Sequence, residues 1–347
     1  MATAAAWPGF APDPGYLNTA TVGVPPRAAV SEVAAVMDLW SRGRLHPPDL
    51  DEYVARARSA WASLSGVAPA EVAIGSTVSE LMGLVAAALP DGARVVVAAG
   101  EFTSVTFPFL AHADRGVTVH ELPLEQLPTL QGRADLIAVS AVQSADGRQV
   151  DRAAVLATAR AAGARVLLDT TQSCGWLPLD VSDVDYVVCA AYKWLLCPRG
   201  TAFLRVRPDA LDGLRPLSAG WYAGDDPWTS IYGSPLRLAE SARRLDISPA
   251  WFSWVGAAVA LELLAALDMA DVHAHDVRLA DAFLNRIGQP PQQSAIVTVE
   301  GDSAVAGRLA QADVRTAIRA GRTRASFHLY NDDADVELAA VAVLGNS

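Results

Sequence analysis

Lys193 is the only lysine in the chain; every other one of its 27 basic residues is arginine. The two cations differ in chemistry. A neutral amine can condense with an aldehyde, whereas a guanidinium stays protonated and is a poor nucleophile. The bias toward Ala, Arg, Gly and Pro points to GC-rich coding, which favours arginine wherever either cation serves. A position that kept lysine is therefore one that needs an amine; the alternative is a solvated lysine that survived by chance. Its surroundings, Cys189-Ala190-Ala191-Tyr192-Lys193-Trp194-Leu195-Leu196, are apolar and aromatic. Desolvation there disfavours the ammonium and favours the reactive amine.

Twenty-four residues upstream, the apolar run Val166-Leu167-Leu168 ends in Asp169, followed by Thr170-Thr171-Gln172-Ser173. In open α/β sheets the carboxyl ends of strands hold the ligand. A carboxylate there can keep a pyridine nitrogen protonated, which makes a pyridoxal-5′-phosphate (PLP) ring an electron sink. The alternative is an Asp capping the next turn. Gln172 is a candidate partner for the cofactor's phenolic oxygen and Tyr192 for its phosphate. A second phosphate candidate is Gly75-Ser76-Thr77 before an Ala/Leu-rich helix, where Ser76 and Thr77 offer hydroxyls and amides at a helix N-terminus. An ordinary capping box of Thr77 with Glu80 reads the same residues equally well. Phe102 follows a strand and can either stack on the ring or pack in the core. Arg324, near the C-terminus, can form a bidentate pair with a substrate carboxylate or serve at the surface.

The elements that must position these residues alternate. Arg94 to Ala98, Val117 to Glu121, Asp135 to Val139, Arg165 to Leu168 and Asp185 to Cys189 read as strands; Thr103 to Arg115 and Asp151 to Ala162 read as helices. This pattern indicates βαβ units and a mostly parallel sheet with buried strands. A Gly/Pro/Trp-rich loop from Gly220 to Pro235 breaks it, and a long helix, about Pro249 to Leu267, and a strand at Ser294 to Val299 follow. The division expected is a large cofactor domain over 15–235 and a small C-terminal α+β domain over 236–347.

With 52% apolar residues the chain can bury a sizeable core, and a net charge of −11 with no basic stretch argues against nucleic acid and anionic membrane as partners. The most apolar helical stretch, Val255 to Leu267, is interrupted by Glu262 and too short for a bilayer. Met1 to Pro14 lacks the basic start of a signal peptide, and Cys174, Cys189 and Cys197 form no CxxC pair, so reduced thiols and a cytoplasmic location are expected. His273 and His275 are two apart and would leave a helix on different faces, so no metal is expected.

In their order, Gly75-Ser76-Thr77, Asp169-x-x-Gln172, Tyr192-Lys193-Trp194 and Arg324-x-Ser326-x-x-x-Tyr330-Asn331 resemble the class V aminotransferase group of fold-type I PLP enzymes. That group includes cysteine desulfurases, isopenicillin-N epimerases and kynureninases. The resemblance covers nearly the whole chain, and Tyr16-Leu17-Asn18-Thr19-Ala20-Thr21 looks like the group's opening motif near the substrate. It implies a mostly parallel seven-stranded sheet sandwiched by helices, with the segment 1–45 packing on the small domain. It implies PLP bound to Lys193, Asp169 at the pyridine nitrogen, Gln172 near the phenolic oxygen, Ser76 and Thr77 on the phosphate, Phe102 on the ring, and Asn18 and Arg324 on the substrate. It also implies a homodimer, in which the Trp221 loop of one subunit reaches the other's phosphate. Phe102 and Tyr192 stand where desulfurases generally carry His, as in kynureninase-like members, while Gln172 follows the desulfurase and epimerase pattern. No cysteine follows Cys197, so persulfide chemistry on the usual C-terminal loop is not expected. The resulting expectation is an enzyme acting on an α-amino acid through an external aldimine, first as an aminotransferase. A lyase cleaving a C–C or C–S bond, an epimerase, and a non-catalytic PLP-fold binding protein are the alternatives.

Overall fold

The computed structural model describes residues 7, 9–300 and 303–345. Seven short runs form one sheet: β1 (Val72–Gly75), β2 (Arg94–Ala98), β3 (Thr118–Leu122), β4 (Leu136–Ser140), β5 (Arg165–Asp169), β6 (Tyr186–Ala190) and β7 (Ala202–Val206). Their order is β1-β7-β6-β5-β4-β2-β3. Pairing is parallel from β3 through β6, and β7 runs antiparallel to both β6 and β1. The central strands are apolar throughout because both faces are covered.

Strand alternation divides the core in two. Val96, Ile137, Val139, Val166 and Leu168 join one cluster with Trp61, Val155, Trp254 and Leu261, from helices Asp51–Ser65, Arg152–Ala162 and Trp251–Ala265. Their neighbours Val95, Val97, Leu136, Ala138 and Leu167 join the other, with Leu81, Val85, Val105 and Phe109 from helices Val78–Ala88 and Thr103–Leu110. Successive side chains point to opposite faces, so one run of β-branched residues feeds both layers of helix.

A second sheet is antiparallel, in the order β8 (Ile296–Val299), β10 (Arg322–Ser326), β9 (Ala317–Arg319). Its own cluster includes Phe283, Val297, Phe327 and Val336 and takes in Leu17 from the N-terminal segment. Tyr16 and Asn18 make isolated bridges to Arg315 and Ser326, so the opening motif lies along this sheet. No helix among the described residues is long and apolar enough to cross a membrane.

The helix expected over Thr103 to Arg115 ends at Leu110, and a separate 3-10 turn covers Ala113–Arg115. Pro108 lies inside the helix and has no amide proton to give it, which weakens its last turn. β1 and β7, absent from the strands read in the sequence, are four and five residues long. β7 (AFLRV) has one β-branched residue, β1 (VAIG) ends in glycine, and both pair antiparallel, outside the strand–helix alternation that marks the others.

Candidate active site

One cavity opens at the carboxyl ends of β1, β2, β4, β5 and β6, and its lining includes Ser76, Thr77, Phe102, Ser144, Asp169, Gln172, Tyr192, Lys193 and Arg199. Asp169 is the last residue of β5 and is buried; one of its carboxylate oxygens accepts the Thr171 amide at 2.8 Å. Burial pushes its carboxyl up to about 6, the Thr171 hydrogen bonds oppose this, and the Glu101 charge adds to it. Lys193 is equally buried, and desolvation brings its ammonium down to about 8 against the pull of Asp169. Its Nζ lies 5.4 Å from the centre of the Phe102 ring and 5.8 Å from that of Tyr192.

The turn carrying Lys193 is held from outside. The Gly23 amide donates to the Tyr192 carbonyl at 2.9 Å. A Cβ at Gly23 would sit 2.0 Å from the Lys193 carbonyl oxygen, and one at Gly175 would sit 2.5 Å from that of Trp194. Two glycines from distant parts of the chain thus let backbone pack directly on this turn.

At the β1 end, Ser76, Thr77, Val78 and Ser79 open the helix Val78–Ala88, whose first-turn amides have no intrahelical acceptor. The hydrogen bonds are those of the capping reading. Thr77 Oγ1 caps the helix by accepting from the Glu80 amide at 3.2 Å, and Glu80 accepts from the Ser76 amide at 2.9 Å. The same hydroxyl-bearing turn faces the cavity, beside Arg199, whose guanidinium lies 5.1 Å from the Tyr192 ring centre. Phe102 is 46% exposed and lines the cavity rather than the core.

On the β4 side a chain of hydrogen bonds sets the wall. Glu101 accepts from the Ser140 amide (2.8 Å), the Ser140 hydroxyl (2.6 Å) and the Gln143 side-chain amide (3.0 Å), which holds the loop leading to Ser144. Gln172 gives its amide hydrogens to the Ala20 carbonyl at 3.0 Å and to Ser144 Oγ at 2.9 Å, and its oxygen accepts from Trp194 Nε1 at 2.8 Å. Its donors are therefore spent. Ser144 Oγ accepts from both Gln172 and Arg324 Nη1, the latter at 3.1 Å, which leaves its own proton to donate.

Strand-end acid, buried amine, helix N-terminus and exposed ring meet in one pocket, and the family relations agree with that arrangement. Residues 49–308 match the Aminotransferase class-V family. The chain belongs to that family. It is 31% identical over 297 residues to an uncharacterized aminotransferase, YcbU, of Bacillus subtilis, covering 79% of each chain. It is 26% identical over 313 residues to isopenicillin N epimerase of Streptomyces clavuligerus, covering 81% of this chain and 76% of that one. The fold matches that of the cysteine desulfurase CsdA of Escherichia coli with a TM-score of 0.83 at 21% identity, over 95% of this chain and 94% of that one. As a class-V member the chain is a PLP-dependent enzyme, so the cofactor expected from Lys193 and Asp169 is the family's own.

Three residues that the class-V resemblance puts at the site do not line this cavity. Arg324 is 1% exposed and stands behind Ser144: Nη1 donates to the Ser144 carbonyl at 2.5 Å, Nη2 to Thr21 Oγ1 at 2.8 Å, and Nε has no partner. Asn18 lies on the bridge to Ser326, with its Oδ1 buried and unpartnered. Trp221, expected at the phosphate of a partner subunit, packs within its own chain on Tyr222 and Trp228, and the Tyr222 hydroxyl and Trp228 Nε1 both donate to Asp51. Sequence reasoning missed Glu101, Ser144 and Arg199, whose roles come from convergence in space rather than from a motif.

A buried pair braces the lysine turn from the other side. His328 Nδ1 faces Asp276 Oδ2 at 2.8 Å and Nε2 faces the Trp194 carbonyl at 3.0 Å, with both side chains fully buried. Nε2 meets a carbonyl and donates to it, and Nδ1 shares a hydrogen with the Asp276 carboxyl. Loss of either partner alone would leave a buried polar group without its hydrogen bond, at a cost of about 1–3 kcal/mol.

Proposed function

We propose that the chain is a PLP-dependent aminotransferase that acts on an α-amino acid. The residues of the cavity suit the cofactor. The Asp169 carboxylate, raised by burial, gains a counter-charge from a protonated ring nitrogen. Phe102 covers one ring face, and the Ser76–Ser79 turn with Thr77, Tyr192 and Arg199 takes the phosphate. The Ser144 hydroxyl, held by Gln172, donates to the phenolic oxygen. When bound, PLP supplies an electrophilic aldehyde carbon and a ring that withdraws electrons from the substrate's α-carbon.

The observation that carries the reading is that, among the described residues lining the cavity, Lys193 is the one amine and Asp169 the one carboxylate, with no histidine or cysteine beside them. Lys193, poised near pH 8, can hold the cofactor and afterwards move a proton at the substrate's α-carbon. Tyr16, Tyr222 and His328 are the side chains that elimination would need near a leaving group. All three are engaged elsewhere: Tyr16 Oη donates to the Val22 carbonyl and Tyr222 to Asp51, and His328 is hydrogen-bonded to Asp276 and Trp194. Epimerisation needs a base on each face of the substrate, and Lys193 serves one. Proton transfer by a single lysine is what transamination requires.

The test is the enzyme form left after exposure to an amino acid with no keto-acid acceptor. An aminotransferase stalls after one turnover, with its visible-edge absorbance bleached and one keto acid released per site. Continued release of product with the band retained would replace this reading by a lyase, and inversion at the α-carbon by an epimerase.

The same reading carries a homodimer. Ile231, Tyr232 and Leu236 on the loop after Trp221 are exposed, Tyr232 at 87%, as are Phe107 and Leu110 on the helix that follows Phe102. Exposed apolar clusters of this kind mark association surfaces. A holoenzyme sedimenting as a monomer at micromolar concentration would exclude the dimer.

A further inference from the structure

Glu101 is a buried acid that no step above uses. Gly100, at φ +75°, turns the chain at the end of β2, and the Glu101 side chain reaches the end of β4. Oε1 accepts from the Phe102 amide at 3.0 Å and the Ser140 hydroxyl at 2.6 Å. Oε2 accepts from the Ser140 amide at 2.8 Å and the Gln143 side-chain amide at 3.0 Å. These donors belong to both walls of the cavity, Phe102 on one and the loop from Ser140 to Ser144 on the other. Glu101 itself does not line the cavity.

An ionised carboxylate accepts only, and so satisfies all of these donors at once. They are neutral, so none of them cancels its charge at short range. A glutamine could hold much of the same wall without the desolvation that a buried charge costs. The charge therefore needs a separate account, and the neighbouring strand supplies it. Ser140 stands opposite Asp169 in the β4–β5 register, and the Ala141 amide donates to the Asp169 carbonyl at 2.9 Å. Two acids thus flank one strand end. Of the charged groups acting on Asp169, Glu101 favours its proton and Lys193 disfavours it. An anion at that place makes Asp169 a stronger acceptor for a proton shared with a ring nitrogen.

We propose that Glu101 is a positioning residue of the reaction, whose hydrogen bonds set the Ser140–Ser144 wall and whose charge strengthens the hold of Asp169 on the cofactor's ring nitrogen. This rests on Asp169 as the partner of that nitrogen and is independent of whether the enzyme transaminates.

The test begins with the cofactor-free protein. Carbon-13 NMR of aspartate-labelled protein follows the Asp169 carboxyl, and Asp169→Asn supplies the assignment. The wild-type carboxyl should titrate at about 6. Glu101→Gln should move that titration down. Glu101→Asp keeps the charge and should leave it near the wild-type position, but its shorter side chain cannot serve Ser140 and Gln143 together. Calorimetry should therefore show PLP bound about 10-fold less tightly by Glu101→Asp, the effect of one lost hydrogen bond. In the holoenzyme, Glu101→Gln should lower turnover about 10-fold, but by no more than about threefold in the Asp169→Asn background, because the charge acts through Asp169. An Asp169 titration unmoved in Glu101→Gln, or moved equally in Glu101→Asp, overturns the charge role. PLP bound by Glu101→Asp as tightly as by the wild type overturns the wall. A full Glu101→Gln loss that persists in the Asp169→Asn background overturns the coupling. An Asp169→Asn enzyme with near-normal turnover removes Asp169 from the ring nitrogen instead, whatever the titration shows.

Discussion

Lys193→Arg keeps a cation in the turn and should abolish covalent capture of PLP, with turnover reduced by about 1000-fold or more. The guanidinium cannot condense with the aldehyde, so the absorbance near the visible edge disappears while the fold persists. The pH dependence of capture follows from the same burial. Only the neutral amine reacts, and its ammonium is held down to about 8. Capture by the cofactor-free protein should therefore accelerate as pH rises toward about 8 and level off above it. An unsubstituted lysine would still be accelerating near pH 10, the ordinary range for that side chain. Stopped-flow absorbance over pH 6 to 10 reads both features, and an unchanged spectrum in Lys193→Arg would remove the lysine from the chemistry.

Asp169→Asn should cost turnover about 100- to 1000-fold, the usual effect of deleting one preorganised partner of a developing charge. The asparagine oxygen can still accept from the Thr171 amide, so the β5 end stays in place and covalent capture should survive. A second effect has a definite sign. The Asp169 charge supports the Lys193 ammonium. Removing it lowers the lysine further, and the capture profile should shift to lower pH. Turnover within about threefold of the wild type would show that Asp169 does not hold the ring nitrogen.

Much of the fold could be read because the strands are continuous apolar runs bounded by turn residues, which mark a sheet covered on both faces. β1 and β7 escaped because VAIG and AFLRV carry few β-branched residues and pair antiparallel, outside the strand–helix alternation. The site was legible where residue type alone constrains the chemistry. A lysine retained in an arginine-rich chain and an Asp closing an apolar strand are chemical statements before they are geometric ones. Phe102 was ambiguous between core and cavity until its exposure decided it. Ser144 and Arg199 were illegible, since a hydroxyl becomes a donor only when Gln172 and Arg324 converge on it. Arg324 stood out as a motif residue, but nothing in its neighbours announced that Ser144 would lie between it and the cavity. Gln172 fits its motif, yet its two amide protons are spent on Ala20 and Ser144.

The central claim is that one lysine in a desolvated cavity carries the cofactor, and reduction followed by peptide mapping tests it most directly. Borohydride treatment of the holoenzyme should fix one PLP per chain, on the peptide containing Lys193 and on no other. An adduct found at the N-terminal amine alone, or no adduct in a protein that retains the cofactor, would contradict the account.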